Sequence, residues 1–114
     1  MKEFLLTNKV ILISGAAGLI GSEITDALAS AGAKIILLDI SPINKILKLE
    51  NKIKKKYKTK ITSFSCDITS EENTQKCIHK IIKNFGRIDV LINLAAIDAK
   101  VDNKNENINN GAFH

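Results

Sequence analysis

The sequence predicts an α/β domain built on a doubly wound parallel sheet. Three observations carry this: continuous apolar, β-branched runs that suit strands covered on both faces, helical apolar periodicity between those runs, and short joins marked by glycine, serine or proline. Strand and helix patterns alternate along most of the 114 residues, a length that suits one domain with its own core.

The first strand covers residues 10–13, VILI, and runs into Ser14 and three glycines spaced Gly15-x-x-Gly18-x-x-Gly21. From Gly18 onward Ile20, Ile24, Ala27, Leu28 and Ala31 recur at helical spacing, so the glycines lie where a helix begins, and Gly32 follows at a C-cap position. The first turn of a helix has N–H groups without internal partners and the positive end of the helix dipole. Glycines without Cβ atoms let a pyrophosphate approach that backbone, so the stretch from Gly15 through Ala17 to Gly21 is a candidate anion site.

The second strand, residues 35–38, ends in Asp39, which stands eighteen positions after Gly21, near the ~20 expected of a ribose-binding acid. A carboxylate there would accept hydrogen bonds from the adenosine ribose hydroxyls and repel a 2′-phosphate, favouring NAD over NADP. The alternative makes Asp39 a loop-opening acid before Ser41-Pro42. Those two residues predict the N-cap and first turn of a second helix, whose Ile46, Leu49, Ile53 and Tyr57 share one face.

The third strand, residues 60–66, is more polar and suits the edge of the sheet. Asp67 and Ile68 follow it. Thr69-Ser70-Glu71-Glu72 then fits a capping box that starts a third helix. Its stripe of Thr74, Cys77, Ile78, Ile81, Ile82 and Phe85 should lie on the sheet, and Gly86 closes it. Residues 88–94, with Val90, Leu91 and Ile92 consecutive, predict a buried fourth strand. It ends at Asn93-Leu94-Ala95-Ala96, where small residues leave room for a ligand. Right-handed crossovers give the strand order 3-2-1-4, with the glycine turn and residues 93–96 flanking one crevice at the switch point.

Composition narrows the function classes. With 45% hydrophobic and 25% charged residues the chain reads as globular, no run reaches the ~18 apolar residues of a membrane span, and the N-terminus lacks a signal-peptide pattern. A cytoplasmic protein is the default expectation. The net charge of +5 comes largely from eight lysines between positions 45 and 60, most of them off the apolar face of the second helix. No aromatic residues interleave with them as stacking platforms, so a solvated face is favoured over nucleic-acid binding. Cys66 and Cys77 are too far apart for a CxxC pair and read as reduced core or near-core thiols. With His79 and His114 they offer too few ligands for a metal site.

By these motifs the sequence resembles the short-chain dehydrogenase/reductase family over roughly residues 8–97, which implies a dinucleotide-binding Rossmann domain over residues 1–97. ISGAAGLIG resembles the family's cofactor loop, Asp39 its acid after the second strand, Cys66-Asp67-Ile68 its adenine-contacting turn, and FGRIDVLINLAAI the segment that usually reads FGxIDxLxNNAG. The resemblance implies that Gly15, Ala17, Gly18 and Gly21 shape the pyrophosphate loop, with Leu19 and Ile20 beside the cofactor. Asp39 would hold the adenosine ribose, Asp67 and Ile68 the adenine, and Asn93 would brace the sheet centre, with Ala95 and Ala96 against the cofactor. It further implies a small-molecule substrate and a homo-oligomer. The glycines depart from the common GxxxGxG spacing, and Leu94 and Ala96 replace the second asparagine and the glycine of the Asn-Asn-Ala-Gly signature. NLAAIDAK also looks similar to oxidoreductases of flagellin modification, which would imply a sugar-derived substrate.

Family members transfer hydride with a Tyr-x-x-x-Lys pair that lies beyond the fifth strand. This chain has one tyrosine, Tyr57, and four positions later stands Ile61. No catalytic residue is therefore expected, and the chain reads as the cofactor half of a longer oxidoreductase. The alternative is a stand-alone dinucleotide-binding or regulatory module. Residues 98–114, rich in asparagine, read as a polar loop or the lead into a further helix, with the fourth strand left as an open edge.

Overall fold

The computed structural model describes residues 5–94. Four parallel strands, β1 (Val10–Ser14), β2 (Lys34–Asp39), β3 (Ile61–Ser65) and β4 (Val90–Asn93), alternate with three helices, α1 (Leu19–Ser30), α2 (Ile43–Lys56) and α3 (Glu71–Phe85). The sheet order is β3-β2-β1-β4, as expected, with Ser14 opposite both Leu38 and Asn93. Because successive strand side chains face opposite ways, β1 and β2 feed two cores. Ile11, Ile13, Ile35 and Leu37 pack with Ala29 of α1 and Ile46, Leu49 and Ile53 of α2. Val10, Leu12, Ile36 and Leu38 pack with Ile81 of α3 and with Cys66, while Cys77 and Phe85 lean on them. Helices on both faces are what make continuous apolar strands stable: each fully buried isoleucine contributes about 1.5–3 kcal/mol.

The helix faces differ in detail from the expectation. In α1 the buried residues are Gly21, Thr25 and Ala29, one small residue per turn. The larger Ile24 and Leu28 only flank that line, and Ile20 is exposed. Small side chains bring the α1 backbone close to the sheet, and the apolar stripe is displaced to the side. α2 follows its predicted face, burying Ile46, Leu49 and Ile53 while most of its lysines remain exposed. Glu50 is also buried, its charge met by the Ser63 hydroxyl at 2.6 Å and Lys54 at 2.8 Å. In α3 only Ile81 of the predicted stripe is fully buried, and Ile78 and Ile82 are exposed.

Two helix starts shift by one residue. Ser70, not Thr69, caps α3 by accepting from the Asn73 amide at 3.3 Å. The Thr69 hydroxyl donates to Asp67 instead, and Glu72 pairs outward with Lys76. Pro42 takes the cap position of α2, without a side-chain cap hydrogen bond, and the Ser41 amide before it is bound to Asp39. The ends agree with the sequence: Gly86 at φ 83 and Gly32 at φ 95 adopt the left-handed conformation just past α3 and α1.

The fourth strand lies at the open edge expected of it but corrects the expectation that it is buried. β4 pairs with β1, yet Val90 is 41% and Leu91 62% exposed, so among the described residues it is an uncovered edge and not a buried strand. It is anchored at its start by Asp89, whose carboxylate accepts from the Val10 amide at 2.8 Å and from Arg87 at 2.9 Å. Those contacts hold the Asp89 carboxyl below the usual carboxylate range, the Val10 amide contributing most. Arg87 also donates to the Asn8 carbonyl, tying the turn before β1 to the turn before β4.

Candidate functional site

The site is built where β1 gives way to α1. Gly15 turns the chain at φ 79, a left-handed conformation costly for a residue with a Cβ. Its amide and that of Ala16 both donate to the Leu38 carbonyl, at 2.9 and 3.2 Å, which fastens the turn to the end of β2. The next amide, of Ala17, donates to Asp39 Oδ2 at 2.7 Å. Gly18 then leads into α1 in ordinary extended geometry, and among the described residues no side chain caps the helix. The first-turn amides that follow therefore have no side-chain cap among the described residues.

The three glycines do separate jobs. Gly15 makes the turn and Gly18 leads into the helix without a side chain. Gly21 permits close packing: a Cβ there would lie 2.7 Å from the Ala16 carbonyl carbon and 2.8 Å from its Cα, so only glycine lets α1 settle on the turn. Leu19, 83% exposed, and Ile20, 44% exposed, stand on the first turn as apolar side chains open to a ligand.

Asp39 ends β2 and is 9% exposed. Besides Ala17, it accepts from the Ser41 amide through Oδ1 at 2.9 Å. Each carboxylate oxygen has a second lone-pair direction, so both remain able to accept from hydroxyl groups. Asp67 lies one strand further out, after β3. Its Oδ1 accepts from the Thr69 amide at 2.9 Å and hydroxyl at 2.6 Å, and the hydroxyl above all lowers its pKa. Ile68 beside it is 43% exposed. Asn93 sits opposite Ser14 at the end of β4, and the following amide, of Leu94, donates to the Ser14 carbonyl at 2.7 Å. All strands being parallel, Gly15–Gly21, Asp39, Asp67, Ile68 and Asn93 lie at the same carboxyl edge of the sheet. Ala95 and Ala96, and the 98–114 segment, lie outside the described residues.

Other reactive groups sit elsewhere. The Tyr57 hydroxyl donates to Asp26 at 3.1 Å and Lys56 contacts the same carboxylate at 2.7 Å, clipping α2 to α1. Tyr57 thus ends a helix that runs toward the amino edge, opposite the glycine turn. Burial above all pushes the Cys66 thiol up to about 11, and its Sγ donates to the Asn73 carbonyl at 3.8 Å, so it is a packing group. Sequence reasoning missed Ser41, whose amide completes the shell of Asp39. The spacing Asp-x-Ser, in which an aspartate accepts from the amide two residues on, was the available signal.

A parallel sheet with a glycine-led, uncapped helix at the end of a central strand is an architecture that binds dinucleotides at its switch point. Residues 9–113 match the family described as short chain dehydrogenase, and the chain belongs to that family. It is 35% identical over 91 residues to the "Short-chain dehydrogenase/reductase aba4" of Botryotinia fuckeliana, an alignment covering 80% of this chain and 35% of the relative. Among solved structures it resembles NAD+-bound xylitol dehydrogenase, with 35% identity, a TM-score of 0.71, and 75% of this chain and 32% of the other covered. It also resembles the NADPH-dependent 3-quinuclidinone reductase of Rhodotorula rubra, at 31% identity and a TM-score of 0.70, covering 79% and 34% of the two chains. The chain spans about a third of the length of the curated relatives it matches. Among the described residues no helix is long and apolar enough to cross a membrane.

Proposed function

We propose that this chain is the NAD-binding portion of an oxidoreductase that moves hydride between nicotinamide and a carbonyl or alcohol carbon of a small molecule. The observation that carries the reading is the open N-terminus of α1 beside Asp39. Uncapped first-turn amides suit a diphosphate, and a carboxylate with spare lone pairs suits the two ribose hydroxyls. In this reading Gly15, Ala17, Gly18 and Gly21 form the phosphate turn, and Leu19 and Ile20 pack beside the cofactor. Asp67 and Ile68 flank the adenine, and Asn93 braces the centre of the sheet. Bound NAD supplies the hydride acceptor, and these residues hold and orient it.

The relatives support the cofactor class without choosing its member, since one named structure holds NAD and another belongs to an NADPH-dependent enzyme. The charge of Asp39 favours NAD. A 2′-phosphate placed against a mostly buried carboxylate would be repelled in a site of low dielectric.

Calorimetric titration of the chain with NAD and with NADP tests this directly. NAD is expected to bind about tenfold more tightly or better, equivalent to about 1.4 kcal/mol. Equal affinities would contradict the role given to Asp39, and no heat at millimolar NAD would reduce the chain to a scaffold without its ligand. A second reading, a dinucleotide-binding module without catalysis, is favoured by one observation: the sole tyrosine is engaged with Asp26, away from the glycine turn. Single-turnover assays with NAD and a panel of alcohols distinguish the two, since only the first reading predicts NADH when the chain works with the rest of its enzyme.

A further inference from the structure

The Asp39 carboxylate reaches in two directions before any ligand arrives. Oδ2 holds the Ala17 amide, in the middle of the glycine turn, and Oδ1 holds the Ser41 amide, just before α2. Its backbone carbonyl also accepts from the Cys66 amide at 2.8 Å, at the end of β3. One residue thereby joins the three loops that follow β1, β2 and β3. We propose that Asp39 is a positioning residue for diphosphate binding: by fixing the Ala17 amide it sets the path of the chain into Gly18 and the first turn of α1, in addition to any contact it makes with ribose.

The physical case rests on where the constraint falls. Gly15 and Ala16 are tied to the Leu38 carbonyl, and helical geometry begins at Leu19. Ala17 and Gly18 are the two residues between those anchors, and glycine at Gly18 leaves the backbone permissive there. A charge-assisted hydrogen bond at Ala17, stronger than a neutral one, is the restraint that orders the segment. Preorganised amides bind an anion more tightly than amides that must first be ordered. Cofactor choice and phosphate affinity are then coupled through one carboxylate. Removing it to admit NADP also loosens the turn that both cofactors need.

The inference depends on the proposed function for its ligand, and two measurements keep the two apart. The first uses 2′,3′-dideoxyadenosine diphosphate, which offers the diphosphate but no ribose hydroxyls. Asp39→Ala is expected to weaken its binding to the full chain about tenfold or more. Equal binding to the unsubstituted chain and the variant would overturn the inference while leaving NAD binding standing. The second needs no ligand and no variant. Amide hydrogen exchange in the unsubstituted chain is expected to be at least about tenfold slower at Ala17 than at Leu19, whose amide has no side-chain cap. Exchange at Ala17 as fast as at Leu19 overturns the inference even if the variant fails to fold or neither nucleotide binds.

Discussion

At Gly21 a methyl group would press into the Ala16 backbone, with the carbonyl carbon 2.7 Å away, so the last glycine of the repeat is required by packing. Gly21→Ala should therefore force α1 off the turn and cost about 1–3 kcal/mol, measured as a lower urea midpoint with an unchanged slope. A neutral or stabilising result would contradict the close approach. Thr25, one turn on, lies on the same buried line of α1, fully buried and with its hydroxyl unpartnered among the described residues. The position of Asp39 was legible in the sequence, because strand, glycines, helix, strand and acid follow in order. Its bond to Ser41 was signalled by the Asp-x-Ser spacing, but its bond to Ala17 was not legible. The Ala17 bond joins residues twenty-two apart, and it exists only once β1 and β2 have paired and brought their carboxyl ends together.

The elements themselves were legible, because three of the four strands are compact apolar runs and α1 and α3 end at glycines. Their starts and faces were less so. Thr69 and Ser70 both suit a cap, and the choice fell to Ser70 once Asp67 had taken the Thr69 hydroxyl. In α3 the periodic stripe is wider than the surface it meets, which leaves Ile81 buried and Ile82 44% exposed. The two neighbours should respond differently to truncation. Ile81→Ala is expected to cost about 2–5 kcal/mol, and Ile82→Ala less than about 1 kcal/mol, in chemical unfolding of the chain. Equal losses would mean that α3 seats on the sheet by another face. The open edge at β4 was foreseen, but its burial was misjudged for a related reason: consecutive apolar residues report what a strand is suited to, and not whether the chain at hand covers both of its faces.

Across the whole molecule, chemistry and charge are segregated. The lysines of α2 lie on its outer side, while the glycine turn, Asp39, Asp67 and Asn93 gather at the carboxyl edge of the sheet. The strand order was predictable since right-handed crossovers leave few alternatives for four alternating units. That order places the uncapped end of α1 beside Asp39 although the two lie some twenty residues apart in sequence. The central claim is that this helix end holds the cofactor's diphosphate, and amide chemical-shift mapping during an NAD titration tests it most directly. The account predicts that the Gly18, Leu19 and Ile20 amides shift the most and saturate together with Asp39. Saturable binding that moves residues at the amino edge of the sheet, around Gly32 and Tyr57, and leaves those three amides in place would contradict it.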